Sequence, residues 1–431
     1  MCTTTALIGI LCTTAAMAND WPQFNGPDRS GAINDVTIAR NWPESGPRLL
    51  WQVSLGEGFG GVSVQGDEVY ILDRTPDASH DIFRCFDLAT GQERWSHAYP
   101  TQGRFQYPGS RSTPTVTDTH VYSVGSFGHV YCFDRQARKP VWNRQLSEWG
   151  GEPPNWGYSQ SPLVVGDRVI VAPMGRSTGM VALNRHDGSE IWKTPAIGGD
   201  AYTSPTLATL SGVPQILMLA GQGLISVDPE TGKTLWRYQG YRCRNAIPSP
   251  TVLEDGRIFL TGGYRAGSAM IRVSRAGDEW RVEELFHIND GSMLHNAIFH
   301  DGHLYANLNT NENLSGGRRR RPGGGQDNNQ QAGPVGIACL DLNGNILWKT
   351  GADPNVDRGG LIIVDGVIVS LGGQDGVLRL IEATPAGYKP IASARVFPNP
   401  GQNLWAPLAV AHGKLLVRNQ RELRCLDVAT R

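Results

Sequence analysis

Polar and aromatic side chains gather just ahead of a set of short apolar segments, and their types suit ligand binding. They are Arg111, Trp156, Tyr158, Gln160, Asp200, Tyr202, Arg244, Asn245, His295, Asn296, Asp357, Arg358, Asn403 and Trp405. Aromatic rings stack against ligands, and guanidinium groups make forked hydrogen bonds. The set predicts a site for a small polar ligand or an extended peptide. The alternative is that these groups hydrogen-bond neighbouring structural units.

Other patterns in the chain indicate no further chemistry. His300 and His303 straddle a tight turn, so we expect their side chains on different faces and predict no metal site there. The glycines at 323–325 follow no strand and open no helix, which argues against a phosphate loop. The cysteines form neither a Cys-x-x-Cys pair nor a haem attachment motif. We therefore assign no catalytic residue.

A recurring phrase identifies the elements that must position the candidate residues. An aspartate, a tight turn and a tryptophan follow one another at 87–95, 228–236 and 341–348, and in looser form at 134–142 and 184–192. A motif that recurs at this spacing indicates that the chain repeats one small β unit many times. The turn glycine permits a positive φ, and the tryptophan supplies enough apolar area to cover the gap between adjacent sheets.

Each unit also contains a β-hairpin signal. The polar turns are Gly66-Asp67, Asp118-Thr119, Gly166-Asp167, Asp255-Gly256, Asp301-Gly302, Asp365-Gly366 and His412-Gly413. Together with a strand that begins near Ile216, their spacing predicts eight units. One interval is longer because it contains residues 311–334, which are rich in Arg, Gly and Gln. With so few apolar residues, this stretch is expected to be a flexible loop.

The two ends of the chain predict how the units are arranged. The eighth unit reaches Arg431 where its tryptophan strand should follow, and an equivalent strand stands near the start at Leu49–Val53. Pairing that strand with the last unit closes a ring and protects an exposed sheet edge. The sequence thus predicts an all-β, eight-bladed β-propeller of four-stranded antiparallel blades. The candidate binding residues then surround its central funnel.

Composition and the N-terminal residues indicate the setting. The net charge of the 431 residues is -1, so we expect no nucleic-acid partner. An apolar run at 6–11 and a small-x-small site at 16–18 predict a signal peptide, residues 1–18, cleaved after Ala18. Residues 19–47 would form an N-terminal extension and residues 48–431 the propeller. We expect a monomer that is periplasmic or secreted, without a transmembrane segment.

The repeats resemble those of pyrroloquinoline-quinone (PQQ) type propellers. Residues 87–95 and 228–236 carry the Asp, Thr-Gly and Trp of that repeat, and residues 21–31 are similar to the N-terminal signature of exported bacterial members. The resemblance covers essentially all of the mature chain. Two groups share the repeat. Quinoprotein dehydrogenases hold PQQ and Ca²⁺ in the funnel and oxidise alcohols or sugars, whereas BamB-like propellers bind protein partners without catalysis.

The resemblance leaves enzyme and scaffold to be weighed. As an enzyme, the chain would use Asp200 and Asp357 as calcium ligands or a base. However, it lacks the adjacent cysteines that many of those enzymes stack on the cofactor, and it has little room for long loops between blades. We predict a non-catalytic binding or scaffold module of the cell envelope, with no metal and no assigned cofactor, that binds an envelope protein or a small polar ligand.

Two alternatives remain open at the level of the sequence. The first is a PQQ- and calcium-dependent dehydrogenase that oxidises alcohols or sugars. The second is a sugar-binding propeller in which Trp156, Tyr158 and Trp405 are the stacking platforms.

Overall fold

A computed structural model describes residues 20–310, 335–398 and 403–430, and within these ranges the chain is almost entirely β-sheet. The strands form eight sheets, one for each predicted unit, arranged as the blades of a propeller. The predicted fold is therefore confirmed. The expected signal peptide, residues 1–18, and the expected loop, residues 311–334, lie outside the described residues.

Blades 1 to 4 follow one another along the chain as four-stranded antiparallel meanders. Two strands precede them, β1 (Ala32–Ile33) and β2 (Leu49–Ser54). The strands of blade 1 are β3 (Ser63–Gln65), β4 (Glu68–Arg74), β5 (His80–Asp87) and β6 (Glu93–Pro100); those of blade 2 are β7 (Thr115–Val116), β8 (His120–Val124), β9 (His129–Asp134) and β10 (Lys139–Gln145); those of blade 3 are β11 (Leu163–Val165), β12 (Arg168–Val171), β13 (Thr178–Asn184) and β14 (Glu190–Pro195); those of blade 4 are β15 (Thr206–Leu210), β16 (Val213–Ala220), β17 (Gly223–Val227) and β18 (Thr234–Tyr238).

Blades 5 to 8 complete the ring, and two of their sheets carry a fifth strand. The strands of blade 5 are β19 (Thr251–Val252), β20 (Arg257–Gly262), β21 (Gly267–Ala276) and β22 (Glu279–Ile288); those of blade 6 are β23 (Asp290–Gly291), β24 (Ile298–His300), β25 (His303–Thr310), β26 (Gly336–Leu340) and β27 (Ile346–Lys349); those of blade 7 are β28 (Leu361–Val364), β29 (Val367–Leu371), β30 (Val377–Glu382) and β31 (Pro390–Arg395); those of blade 8 are β32 (Ala409–Ala411), β33 (Lys414–Arg418) and β34 (Glu422–Asp427). The fifth strands are β23 in blade 6 and β1, which lies parallel to β28 in blade 7.

Within residues 20–310, 335–398 and 403–430, helix is confined to one short 3-10 turn, Leu146–Trp149, between blades 2 and 3. Nowhere in the described ranges does a helix have the length and apolarity to cross a lipid bilayer.

The second strand of each blade forms the core of the propeller. Every residue of β4 and of β29 is buried, because both faces of a blade pack against its neighbours. The fourth strands lie at the perimeter, and β6 alternates between exposed and half-buried residues over most of its length. Buried strands on both sides thus fill each gap between blades with apolar side chains.

The repeated tryptophan packs on the turn of the next blade. The Trp192 indole N–H donates a hydrogen bond of 3.0 Å to the carbonyl of Pro229 in the following turn. The ring also lies against the turn glycine, since a Cβ added at Gly232 would stand 2.5 Å from it. Trp142 and Gly188 repeat this contact between blades 2 and 3. The tryptophan of one blade and the turn glycine of the next therefore form a contact that holds the two blades together, which we call the lock.

The lock between blades 1 and 2 departs from this pattern. Arg138, with a φ of 58°, occupies the position of the turn glycine. The indole N–H of Trp95 has no hydrogen-bond partner among the described residues. Trp95 instead packs against Phe83 and Phe133, with ring centroids 5.4 and 5.7 Å away. Aromatic packing replaces the polar part of the lock here.

We expect Gly232→Ala to lower the free energy of unfolding by about 2–3 kcal/mol, because it adds a clash with Trp192 to the cost of positive φ. Gly212→Ala is the matched control in the same blade: its φ of 75° resembles the 69° of Gly232, but an added Cβ would meet no atom within 4 Å. That control should lose only about 1 kcal/mol. Urea denaturation of both variants measures the difference, and equal losses would contradict an inter-blade lock at Trp192.

The ring closes with a strand from the start of the chain, as the sequence predicts. Strand β2 pairs antiparallel with β34, placing Trp51 opposite Cys425. The Trp51 indole N–H then donates a bond of 2.9 Å to the carbonyl of Leu88 in blade 1. The closing strand thus completes blade 8 and supplies its lock to blade 1.

Residues 20–40, which we call the N-terminal strap, lie across the ring before the closing strand begins. The backbone of Trp21 exchanges two hydrogen bonds with Val64 of blade 1, at 3.0 and 2.8 Å. Strand β1 extends blade 7, and the amide of Ala39 donates to Val428 after blade 8. The sequence repeats contain no signal for this strap, which ties blades 1, 7 and 8 together.

Arg29 extends from the strap into the interior of the ring, where its guanidinium is buried. Its Nη1 donates to the carbonyl of Pro205 in blade 4 at 2.8 Å. Its Nη2 donates to the carbonyl of Pro162 in blade 3 and, at 3.4 Å, to the Thr115 hydroxyl in blade 2. Its Nε donates to the Gln23 side chain of the strap at 2.8 Å. One side chain therefore joins three blades on the ring axis.

Candidate functional site

A pocket lies on the axis of the propeller, and the space between its lining atoms, part of it open to solvent, is about 890 Å³. Residues from all eight blades line it, mostly from the segments just before the innermost strands. They are Phe59, Tyr107, Arg111, Trp156, Ser159, Tyr202, Ser204, Ile247, Ser249, Tyr264, Met293, Leu294, His295, Arg358, Trp405 and Pro407, together with Phe24 of the strap. Such a concave site with aromatic walls is a typical location for ligand binding. We call it the aromatic pocket.

A chain of hydrogen bonds positions these segments around the axis. The amide of Thr113 donates to the Ser161 hydroxyl, and the amide of Ser161 donates to the Ser204 hydroxyl. The pattern continues from Ser204 to Ser249 and ends at the side-chain oxygen of Asn296, with all four distances between 2.8 and 3.0 Å. The hydroxyl-Pro steps of the sequence thus link blades 2 to 6, because each proline follows a residue that bonds the neighbouring blade.

Two groups of stacked rings form the walls of the aromatic pocket. Phe59 and Trp405 stack with centroids 5.5 Å apart and an interplanar angle of 25°. Trp156 lies 5.2 Å from Tyr202 and 6.0 Å from Tyr264, the latter at an angle of 26°. The rings hold one another in place, so the apolar walls are largely preformed.

Charged groups are few and mostly satisfied within the protein. The Asp357 carboxylate accepts hydrogen bonds from the Trp405 indole at 3.0 Å and from the Arg358 guanidinium at 3.2 Å. The Arg358 guanidinium also lies 4.5 Å from the centroid of the Trp405 ring. Trp405 is therefore held between an anion and a cation, an arrangement that fixes its orientation.

Arg111 and His295 differ in charge at neutral pH. Burial lowers the pKa of Arg111 to about 10 and that of His295 to about 4, so Arg111 is a cation and His295 is neutral. Arg111 donates to the backbone carbonyls of Gly109 and Tyr107 and has no carboxylate partner among the described residues. The His295 ring bonds the Arg358 carbonyl at 3.2 Å, which requires an N–H on Nε2.

A family model described as "Outer membrane protein assembly factor BamB" matches residues 78–307, slightly more than half of the 431-residue chain. The chain belongs to this family. No curated protein sequence matches it.

Solved structures share the architecture of this BamB-family chain at low sequence identity. BamB from Moraxella catarrhalis is 13% identical and superposes with a TM-score of 0.57, covering 88% of this chain and 97% of that one. Quinohemoprotein alcohol dehydrogenase from Comamonas testosteroni is 13% identical, with a TM-score of 0.66 over 96% of this chain and 81% of that one. The computationally designed Ika8 protein is 11% identical, with a TM-score of 0.59 over 89% and 100%. At these identities, the likeness shows the fold alone.

The structure of this BamB-family propeller brings about half of the sequence-predicted residues together. Arg111, Trp156, Tyr202, His295, Arg358 and Trp405 line the aromatic pocket, and Asp357 lines a smaller neighbouring pocket. The remaining candidates, which do not line the aromatic pocket, are Tyr158, Gln160, Asp200, Arg244, Asn245, Asn296 and Asn403.

Several of those remaining candidates have structural partners. The Tyr158 hydroxyl donates to the Pro173 carbonyl at 2.9 Å, and the Gln160 side chain bonds the backbone of Ala172 in both directions. Asn296 ends the inter-blade chain described above. Asp200 and Arg244 are exposed, while Asn245 and Asn403 are half-buried. Tyr158, Gln160 and Asn296 thus form hydrogen bonds within the propeller, in line with the structural alternative to ligand binding.

Eleven of the seventeen lining residues were not among the sequence candidates, and four of them show why. Phe59 lies in the Gly-rich segment before β3, and Met293 precedes His295. Tyr264 lies in the β20–β21 turn with a φ of 57°, a backbone region that non-glycine residues adopt at some cost. Phe24 comes from the strap, outside every repeat. Phe59 and Met293 carried a usable signal, since each also lies just ahead of an innermost strand.

The donor set near the pocket does not match a calcium site. Ca²⁺ takes about six to eight oxygen ligands, several of them carboxylates. Among the described residues lining the aromatic pocket and its neighbour, Asp357 is the one carboxylate, and both of its oxygens already accept hydrogen bonds. Across the described ranges, no group of three or more His, Cys, Asp or Glu side chains is placed to hold a metal ion. The residues present thus do not fit the calcium half of a PQQ–Ca²⁺ centre.

Proposed function

We propose that this BamB-family propeller is a non-catalytic binding module of the cell envelope. Its aromatic pocket receives an apolar or aromatic side chain from an extended segment of a partner protein. The observation that carries the proposal is the lining itself. Aromatic rings from six blades surround the space: Phe59, Tyr107, Trp156, Tyr202, Tyr264 and Trp405. The neighbouring Asp357 carboxylate already accepts hydrogen bonds within the protein.

The chemistry of the pocket supports a protein segment as its ligand. Buried aromatic side chains and arginine are the residue types that dominate binding energy at protein interfaces. Arg111 uses its Nη atoms on backbone carbonyls, and its Cζ lies 5.7 Å from the centroid of the Phe59 ring. If an extended segment entered beside Phe59, the Arg111 guanidinium would lie close enough to interact with one of its backbone carbonyls.

The second candidate function is a PQQ- and calcium-dependent dehydrogenase. The observation in its favour is the fold shared with the quinohemoprotein alcohol dehydrogenase, whose name describes an alcohol dehydrogenase. Of the described residues lining the two pockets, Asp357 is the acidic one, so it would have to act as the base. Arg111 would bind the carboxylates of the cofactor. The mismatched calcium donors make this the weaker candidate.

A fluorescence titration distinguishes the two functions. PQQ is added to the purified protein with and without Ca²⁺, and quenching of the total tryptophan fluorescence, to which Trp156 and Trp405 of the pocket contribute, is followed. We expect no saturable, calcium-dependent quenching, because the oxygen ligands are missing. Saturation at micromolar PQQ that requires Ca²⁺ would overturn the binding-module proposal and justify assays with alcohols and sugars.

A peptide selection tests the proposed binding directly. Random peptides displayed on phage and selected on the wild-type protein should share an aromatic or large apolar residue. We expect Trp156→Ala to weaken the selected peptides by at least about 30-fold, the effect of losing an interface hot spot. Trp280→Ala is the matched control, because Trp280 is also half-buried but lies on β22 outside the pocket. If the selected peptides bound both variants with equal affinity, their binding site would lie outside the aromatic pocket.

The envelope location rests on the apolar run and the small-x-small site at residues 6–18. Cell fractionation with N-terminal sequencing tests it, and the expected mature chain begins at Asn19. A chain recovered from the cytosol with its first 18 residues intact would contradict export.

A further inference from the structure

The N-terminal strap closes the aromatic pocket at one end of the ring axis. Asp20 of the strap bonds the first hairpin turns of blades 1 and 8, through the amide of Gly66 and the ring of His412. The same segment contributes Phe24 to the pocket lining. The pocket therefore opens toward the opposite face, where a connection runs from the outermost strand of each blade to the innermost strand of the next. A partner segment must approach across that face.

Two arginines lie on the connection between blades 4 and 5. Arg242 and Arg244 are exposed, while Cys243 between them is buried, so both arginines project outward from the connection. Neither forms an ion pair with a carboxylate among the described residues. Farther along the same connection, Ile247 and Ser249 line the aromatic pocket. The two cations therefore lie close to the mouth of the pocket.

A third arginine lies beside them in blade 5. Arg265 is exposed in the β20–β21 turn and follows Tyr264, one of the rings of the pocket wall. This turn packs against the connection between blades 4 and 5, since the Tyr241 hydroxyl donates to the Gly267 carbonyl at 3.0 Å. The three arginines therefore form one positively charged group beside the pocket. We call this group the basic rim: Arg242, Arg244 and Arg265.

Acidic groups balance the charge of the basic rim only in part. The adjacent connection, between blades 3 and 4, carries one exposed carboxylate, Asp200, and it is joined to the rim by the pairing of Ala201 with Ala246. One carboxylate beside three arginines leaves an excess of positive charge. Arg111 in the pocket wall adds to that excess, because it lacks a carboxylate partner among the described residues. A segment with acidic residues is therefore attracted to this side of the pocket mouth.

We infer that the aromatic pocket and the basic rim together bind an acidic segment of a partner protein. An aromatic or large apolar residue of the segment enters the pocket, and Asp or Glu residues within about four positions of it, a span of roughly 13 Å, lie along the rim. This inference deepens the proposed function and rests on it. The proposed function requires only the aromatic or apolar side chain, whereas the basic rim adds the requirement for acidic neighbours.

Three peptides of equal length test the inference. Each has a central tryptophan with a pair of Glu, Gln or Lys residues on both sides, so that the result does not depend on the direction in which the segment binds. Fluorescence anisotropy of the labelled peptides gives their dissociation constants on the full chain. At about 20 mM salt we expect the Glu peptide to bind about tenfold more tightly than the Gln peptide, and the Lys peptide to bind most weakly. At about 500 mM salt the preference for Glu should fall to about twofold, because salt screens exposed charges.

The same peptides distinguish failure of the inference from failure of the proposed function. Equal affinities of the Glu and Gln peptides, both lost in Trp156→Ala, would overturn the inference and leave the proposed pocket intact. Binding of the Glu peptide that is unaffected by Trp156→Ala would overturn both. An oligothymidylate of about eight nucleotides is titrated in parallel, since aromatic rings and arginines also bind single strands. Tighter binding of this oligonucleotide than of the Glu peptide would assign the face to a nucleic acid and overturn the inference.

A double variant separates the charge of the basic rim from the charge of the whole protein. In Arg242→Gln with Arg244→Gln, we expect the preference for the Glu peptide over the Gln peptide to fall to about threefold or less, while the Gln peptide binds as before. The matched control is Arg237→Gln with Arg281→Gln, which removes two exposed arginines from the perimeter strands β18 and β22 of the same blades. An equal fall in both double variants would show that net charge alone attracts the peptide, and it would overturn the inference.

Discussion

Replacing Arg29 by methionine should lower the free energy of unfolding by about 3–5 kcal/mol, because it removes the charged donor from a group of buried acceptors. The carbonyl oxygens of Pro162 and Pro205 lie inside the ring and receive hydrogen bonds from this guanidinium. Methionine fills much of the same volume but donates nothing. The loss of hydrogen bonds at blades 2, 3 and 4 should therefore dominate any gain from burying an apolar chain.

The matched control for this prediction is Arg40→Met, in the same strap. The Arg40 side chain is 51% exposed and pairs with Asp365 at 3.1 Å, so its removal should cost less than about 1 kcal/mol. Urea denaturation followed by tryptophan fluorescence measures both variants. Losses of the same size for Arg29→Met and Arg40→Met would show that the strap contributes little at the ring axis.

Arg74→Met should also lower the free energy of unfolding by about 3–5 kcal/mol at neutral pH, because it leaves a buried carboxylate without its positively charged partner. Arg74 pairs with Asp81 at 2.7 Å, and the side chains are 4% and 1% exposed. Arg74 also donates to the carbonyls of Ala78 and Gly103. The Asp81 carboxylate is buried and cannot reach solvent. In the variant it must therefore either remain as an unpaired buried anion or bind a proton.

This loss should depend on pH in a defined direction. Burial is the largest influence on Asp81 and raises its pKa to about 6, although Arg74 lowers it. Without Arg74 the pKa rises further, so the folded variant keeps a proton that the unfolded chain releases above about pH 4. Wild type keeps the same proton up to about pH 6, so the stability of the variant relative to wild type should fall only as the pH rises above about 6.

Urea denaturation of wild type and Arg74→Met at about pH 4.5 and about pH 7.5 measures that change. Arg104→Met serves as control, because its pair with Glu57 is 65% and 50% exposed and should contribute less than about 1 kcal/mol at either pH. A deficit of the same size at both pH values would contradict the protonation of Asp81.

The sequence predicts the ring well because each blade repeats the same local physics. The turn glycines, the hairpin turns and the closing strand at Leu49–Val53 depend on contacts between neighbouring units, and these leave a periodic trace. The strap leaves no such trace. Trp21 and Arg29 have partners far away in the chain, so periodicity cannot indicate what they bind.

The candidate site is only partly predictable for a related reason. Being just ahead of an innermost strand indicates nearness to the axis, and this brings Trp156 and Trp405 into the aromatic pocket. It does not indicate which way a side chain points within an irregular segment. Tyr158 and Gln160, only two and four residues beyond Trp156, turn instead toward the backbone of blade 3. Ligand binding by any of these residues stays a prediction.

The strap and the closing strand also determine when this protein can finish folding during synthesis. Residues 20–54 leave the ribosome long before their partners, which include β28 and β34 near the other end of the chain. At roughly 5–20 residues per second, translation of the whole chain takes on the order of 20–90 s. During that time residues 20–54 cannot pair with β28 and β34. An interrupted product lacks β34 and leaves β2 without its partner, so an open ring differs from a complete one by an exposed edge strand that folding factors and proteases can recognise.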